Sequence, residues 1–260
     1  MHRDCPRFRI ASAAKYDKIE TEMQDTKNSP DIQTDHQEAA QSQSTRPVNP
    51  GAPRIPKLLV TVLIAINVVI YMMWNYGEAF GVSPGFMIDN FLVSYDGLVQ
   101  GRLWTLLTSA FSHNMFLHII LNMFVLNSFG PIVDYTLGPK RFLGFYIGAG
   151  MLGSLSHALV SKFIMGEGDI PALGASGAIS GIILLFSLLY PRQKILMFAF
   201  IPVPAILGAL LFVGLDIWGL VAQAEGGGLP IGHGAHLGGS LAGLIYYFIL
   251  RAEFRNRFHD

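Results

Sequence analysis

The chain has 260 residues and no formal net charge at pH 7; 51% of its residues are hydrophobic and 14% are charged. Average soluble domains carry about 25% charged residues, so this composition is typical of a membrane protein. A neutral balance gives no electrostatic basis for a nucleic-acid partner. The one cysteine, Cys5, excludes an intrachain disulfide and a cysteine-ligated metal site. We therefore expect no metal and no other cofactor.

Residues 1–55 are rich in Gln, Ser, Thr and Asp and contain no apolar run. Such a segment buries too little apolar surface to offset the entropy of ordering, and it lacks the apolar region of a secretory signal. Arg3, Arg7 and Arg9 are compatible with a transit peptide, whereas nearby acidic residues favour a solvated tail. The sequence predicts a disordered cytoplasmic tail at 1–55, a membrane domain at 56–252 and a short cytoplasmic tail at 253–260.

The remaining sequence contains six apolar segments of nearly the length needed to cross a bilayer, which is roughly 17 to 25 residues. We predict an all-α polytopic bundle of six transmembrane helices at about 58–75, 115–133, 142–164, 174–190, 195–217 and 234–250. The fourth segment is short, which is typical of a helix buried among others. Pro202 and Pro204 are expected to bend the fifth helix, because proline removes a helical hydrogen bond.

Most basic residues that flank these segments lie on one side of the predicted membrane, and only Arg102 and Lys162 lie on the other side. By the positive-inside rule both termini face the cytoplasm. The second, fourth and sixth helices then enter from the outer surface, which brings their first polar residues to one depth. A multi-pass protein of a bacterial inner membrane fits this pattern, and an organellar membrane remains an alternative.

A serine and a histidine stand at the starts of two of these helices. Ser176 could act as a nucleophile if His236 lies within reach as its base. The simpler interpretations are a serine that caps its helix and a buried histidine bonded to a carbonyl. Polar groups inside a membrane nevertheless favour a functional hypothesis.

Glycines accompany both residues at a spacing of four. Gly177 and Gly181 follow Ser176, and Gly239 and Gly243 follow His236. Small residues at this spacing let membrane helices approach closely. The pattern predicts that the serine helix and the histidine helix pack against each other.

His118 and Asn122 share one face of the second helix. Both side chains can donate hydrogen bonds to a developing oxyanion, and an interhelical hydrogen bond is the alternative. We interpret His113 as structural and His157 as a packing residue. Asp216 is placed near the outer end of the fifth helix, within reach of water.

Taken together, these motifs resemble the rhomboid family of intramembrane serine proteases in its six-span form, over residues 58–251. The resemblance rests on residues 174–177, on the helix that begins near His236, on residues 118–122 and on residues 103–113. It implies a Ser176–His236 dyad without a third carboxylate, and an oxyanion hole of His118, Asn122, Gly174 and the Ser176 amide.

The resemblance also implies roles for the loops and for the partners. Loop 77–103 would support the fold, loop 218–233 would cap the site, and the fifth helix would be a lateral gate. The implied partners are membrane lipid and single-span membrane proteins, cut near the outer face of the bilayer at small residues.

Two positions depart from the family pattern. Thr105 follows Trp104 where many members have arginine, which places the hydrogen bonds of the first loop in question. Ser180 stands where many members have an aromatic ring against the catalytic imidazole. Either another ring supports His236, or the imidazole is held less firmly.

Other classes of membrane protein fit the sequence less well. A catalytically silent rhomboid-like factor that binds membrane proteins is the main alternative. A solute transporter would show inverted repeats and midplane ion-binding groups. A membrane metalloprotease would need a His-Glu-x-x-His motif, and an aspartyl protease would need, beside Asp216, a second intramembrane aspartate in a Gly-x-Gly-Asp setting; the predicted spans contain neither motif.

Overall fold

The computed structural model describes residues 57–197 and 200–256. The predicted tail at 1–55 and residues 257–260 lie outside the described residues. The described part is mostly helical, and a two-stranded hairpin interrupts it. The elements in chain order are α1 (Leu58–Tyr76), α2 (Pro84–Phe91), α3 (Tyr95–Val99), α4 (Thr105–Thr108), α5 (Phe116–Leu137), α6 (Pro139–Phe163), α7 (Ser176–Leu189), β1 (Lys194–Met197), β2 (Ile201–Pro204), α8 (Ala205–Ala224) and α9 (His233–Asn256).

Four helical segments of the described part are long and apolar enough to cross a membrane: Leu58–Phe80, Phe116–Leu137, Pro139–Phe163 and Ala205–Ala224. Their large apolar side chains are widely exposed, as for Val69, Phe124 and Trp218 at 58%, 66% and 69%. In a soluble protein such faces would be costly, whereas in a bilayer they contact lipid. The structure thus supports four of the six predicted spans by length and composition.

The other two predicted segments form the helices α7 and α9. Helix α7 has 14 residues, about 21 Å at the α-helical rise. It packs against α5, α6, α8 and α9, and most of its residues are buried. Helix α9 continues to Asn256, so the first residues of the predicted tail 253–260 belong to this helix.

The predicted start of the fifth helix at residue 195 is wrong. Lys194–Met197 and Ile201–Pro204 pair as an antiparallel hairpin, and α8 begins only at Ala205. Pro202 and Pro204 therefore lie in β2 and do not bend a helix. A two-stranded ribbon tolerates proline because each strand has an unpaired edge. Pro204 also adopts φ −56° directly before the helix.

The segment that follows α8 is shorter than predicted. Helix α8 extends to Ala224, so the loop before α9 comprises residues 225–232 instead of 218–233. The Gln223 amide donates to the carbonyls of Leu229 and Ile231, at 2.6 and 2.8 Å. These bonds fold the loop back against the end of α8.

Candidate active site

The segment that leads into α7 is held in place by the first loop. Val93 and Ala172 exchange backbone hydrogen bonds of 3.0 and 2.8 Å. Gly174 then donates its N–H to the Ser109 carbonyl, at 2.8 Å. On the other side, His157 lies 3.2 Å from the Ile170 carbonyl, as a packing hydrogen bond. The position of Ser176 at the start of α7 is thus set by contacts that converge from several elements.

The first loop has its own hydrogen-bond network despite the departure at Thr105. Arg102 forms an ion pair of 2.7 Å with Asp89 and donates to Gln100 at 3.2 Å. The Thr105 hydroxyl donates to the Arg102 carbonyl at 2.6 Å, and Thr105 is buried. Trp104 remains half exposed. Arg102, three residues before the usual family position at Thr105, therefore organises the loop.

Gly174 lies against His118 in a backbone conformation that suits glycine. Its φ is +131°, and a Cβ at this position would lie 2.7 Å from His118 Cε1. His113 stands behind His118, with ring centroids 4.8 Å apart. The Ala175 N–H donates to His113 Nε2 at 3.4 Å, so His113 links the segment before Ser176 to the start of α5.

Helices α7 and α9 meet through the four glycines singled out in the sequence. A Cβ at Gly239 would overlap the Gly177 carbonyl oxygen, and one at Gly243 would lie 2.6 Å from the Gly181 carbonyl oxygen. A Cβ at Gly181 would lie 2.8 Å from the Gly239 carbonyl oxygen. The two backbones therefore touch without intervening side chains, which brings the start of α9 beside the start of α7.

His236 is held by two residues of α8. Phe212 stacks on the imidazole with centroids 5.6 Å apart, and Asp216 Oδ1 lies 2.9 Å from His236 Nδ1. Of the two alternatives for the departure at Ser180, the structure shows the first, a ring from another helix. The Ser180 hydroxyl donates to the Ser176 carbonyl at 2.7 Å.

Asp216 differs from expectation. It is 4% exposed and accepts a second hydrogen bond of 2.7 Å from His233 Nδ1. The expectation of a water-exposed Asp216 is therefore wrong, and His236 has a carboxylate neighbour that the implied Ser176–His236 dyad does not include. The sequence did contain a signal for Asp216, because an acidic residue inside an apolar helix favours a functional role by default. No such signal indicated that His233 binds Asp216.

The predicted catalytic and oxyanion-hole residues line one cavity of about 1050 Å³. Its walls include Ser176, His236, His118, Asn122 and Gly174, and loop 225–232 also contributes to it. Among the described residues, the Ser176 hydroxyl and the His236 imidazole are not joined by a hydrogen bond. Catalytic hydrogen bonds are often long without substrate. The Asn122 amide nitrogen donates to the His118 carbonyl at 2.9 Å, which leaves its second N–H available.

Comparison with known proteins matches residues 100–253 to the Rhomboid domain family. The chain is 34% identical to RHOMBOID-like protein 12, mitochondrial, of Arabidopsis thaliana over 76% of its own length and 60% of the relative. It is 33% identical to Rhomboid protein 1, mitochondrial, of Saccharomyces cerevisiae, over 78% and 56%. The human presenilin-associated rhomboid-like protein, mitochondrial, is 30% identical over 72% and 47%. The chain thus spans about half to three-fifths of these relatives.

These relatives also correct the expected location. All three carry mitochondrial names, and a further relative from Schizosaccharomyces pombe does as well. The expectation of a bacterial inner membrane with cytoplasmic termini is therefore wrong. The alternative of an organellar membrane fits this finding.

The family match covers more than half of the chain and includes α5 to α9, which form the cavity. The glycine contacts and the polar residues of the cavity lie inside the matched region. This chain belongs to the rhomboid family.

Proposed function

We propose that the protein is an intramembrane serine endopeptidase of a mitochondrial membrane. The observation that carries the proposal is the shared cavity, in which Ser176, His236 and three oxyanion-hole candidates meet although they lie on separate segments of the chain. The substrates would be single-span membrane proteins that enter from the lipid and are cut near one surface of the bilayer. The mitochondrial names of the relatives support the location.

In this mechanism His236 accepts the proton of the Ser176 hydroxyl as its oxygen attacks the scissile carbonyl. The oxyanion would be stabilised by the Ser176 N–H and the side chains of His118 and Asn122. His236 would then protonate the leaving amine, and water would hydrolyse the acyl-enzyme. Gly174 allows His118 to lie close to the segment before Ser176, which supports the proposed role of His118.

Cleavage of a reporter tests this proposal. A single-span reporter protein is reconstituted with wild-type enzyme, Ser176→Ala and His236→Ala in vesicles, and the products are sequenced. Ser187→Ala is the matched control, because Ser187 is buried on the same helix and does not line the cavity. We expect cleavage by the wild type and Ser187→Ala, and none by the two site variants.

A fluorophosphonate probe supplies an independent readout, because it modifies only an activated serine. Labelling of the wild type and its loss in Ser176→Ala would support the mechanism. A folded wild type that neither cuts several reporters nor reacts with the probe would instead favour a rhomboid-like factor that binds membrane proteins without cutting them. Cleavage by Ser176→Ala would exclude the proposed nucleophile.

A further inference from the structure

We infer that Asp216 is a positioning residue for the base, so that the site operates with a carboxylate–histidine pair beside the serine. The inference rests on the proposed protease function. Its basis is the hydrogen bond between His236 Nδ1 and Asp216 Oδ1, at 2.9 Å, in which both side chains are largely shielded.

The bond determines which imidazole nitrogen is free. An ionised carboxylate only accepts hydrogen bonds, so the hydrogen lies on His236 Nδ1. Nε2 then carries the lone pair that can take a proton from Ser176. Without the carboxylate, the neutral ring has no such preference, and a part of the molecules would present an N–H towards the serine.

His233 strengthens the arrangement. Its Nδ1 donates to the same Asp216 Oδ1 at 2.7 Å, which fixes the carboxylate from a second side. The ring of His233 lies against Gly219 of α8, where a Cβ would overlap it. A glycine on α8 therefore lets this histidine come close enough to brace Asp216.

The hydrogen bonds of the Asp216 carboxylate do not fully compensate for its burial. Asp216 Oδ2 has no hydrogen-bond partner among the described residues. A buried acceptor without a partner is unfavourable, so a purely structural tie between α8 and α9 would be better served by an uncharged residue. The negative charge of the carboxylate becomes favourable when the His236 imidazole becomes positively charged during proton transfer.

Asp216→Asn tests the inference with nearly unchanged shape. We expect kcat to fall by about tenfold or more with KM within about twofold, as for an interaction that acts on the reacting imidazole. Asp134→Asn is the matched control, because Asp134 is also a buried carboxylate within an apolar helix, away from the cavity. We expect this control to cut the reporter at the wild-type rate.

The tautomer of His236 gives a readout that a structural role would not change. Nitrogen NMR of ¹⁵N-histidine-labelled protein should show a protonated Nδ1 in the wild type and a mixture of tautomers in Asp216→Asn, with His236→Ala used to assign the signals. Gly219→Ala should displace His233 and lower kcat by less than Asp216→Asn does.

The outcomes separate the inference from the function on which it rests. If the wild type cuts and Asp216→Asn retains wild-type kcat and tautomer, the inference is wrong while the protease function stands. If Asp216→Asn loses activity only in proportion to unfolded protein, Asp216 is structural. The side chains of Asp216, His233 and His236 each offer one possible metal-ligand atom, and these atoms lie within 4.8 Å of one another. Wild-type cleavage is therefore also measured in the presence of EDTA. Inhibition of cleavage by EDTA would replace the inference with a metal site.

Discussion

Phe212 stacks on the imidazole of His236, with the ring centroids 5.6 Å apart and the planes inclined by 27°. The aromatic neighbour of His236 therefore comes from α8 and not from α7, where Ser180 occupies the position at which many family members carry a ring. Phe212 also precedes Asp216 by one helical turn. One face and one edge of the imidazole are thus held by the same helix.

Removal of this ring should lower the rate without unfolding the protein. An aromatic pair contributes about 0.5–1.5 kcal/mol beyond its buried area. We therefore expect Phe212→Ala to reduce kcat by roughly two- to tenfold and Phe212→Tyr to keep most of it. Leu211→Ala is the control, because Leu211 is exposed on the same helix. Full activity of Phe212→Ala in the reporter assay would contradict a supporting role.

The contact between α7 and α9 should tolerate no added methyl group at Gly239. A Cβ there overlaps the Gly177 carbonyl, so Gly239→Ala must push the helices apart, at a cost of about 1–3 kcal/mol. We expect a lower melting temperature in detergent and loss of cleavage. Gly148→Ala is the matched control on α6, because no atom lies within 4 Å of a Cβ built there. Equal melting temperatures of the two variants would argue against this close packing.

The oxyanion hypothesis predicts a specific kinetic effect at Asn122. Loss of one oxyanion donor typically costs about 10²–10³ in kcat, and KM should change little because the interaction forms mainly in the transition state. We expect this pattern for Asn122→Ala. Its own helix loses only one intrahelical side-chain bond, to the His118 carbonyl. A rise in KM with unchanged kcat would assign Asn122 to substrate binding instead.

His113 should make the fold sensitive to acid. Burial, with a smaller effect from the nearby His118, lowers the pKa of His113 from 6.5 to about 3. Its neutral form therefore stabilises the folded state above pH 6.5, and that contribution is lost as the pH falls from 6.5 towards 3. The slope for one proton is about 1.4 kcal/mol per pH unit.

A variant without this proton-binding site isolates the effect. Gln can accept the Ala175 N–H in place of His113 Nε2, so His113→Gln should unfold at a temperature that depends less on pH between 6 and 4. Thermal unfolding in detergent, monitored by circular dichroism, gives the comparison. Identical pH dependence of the two proteins would show that other groups control acid unfolding.

The sequence predicted the helical segments best where hydrophobicity alone decides. Helix α1 and the start of α7 lie within two residues of the predicted bounds. The start of α8 could not be predicted in this way, because residues 195–204 are as apolar as a membrane helix. Pro202 and Pro204 were the available signal, but prolines are compatible with either a kinked helix or a hairpin.

Among the side-chain contacts of the site, too, some could be predicted from the sequence and others could not. The sequence places His118, Ser176 and His236 near the starts of three predicted helices, so their common cavity could be anticipated. The pairing of Asp216 with His236 depends on the rotation of α8 about its own axis. That rotation is set by packing against α7 and α9 and has no local sequence signal. Phe212 was missed for the same reason.

Phe212 and Asp216, the two side chains that hold His236, both lie on α8. Both supports of His236 belong to the helix that the family resemblance identifies as the lateral gate. If the protein is the protease proposed above, outward movement of α8 from α9 would separate both side chains from the imidazole, while Ser176 and His118 would stay on α7 and α5. The open enzyme would then admit a substrate while His236 lacks its supports, and the return of α8 would restore them.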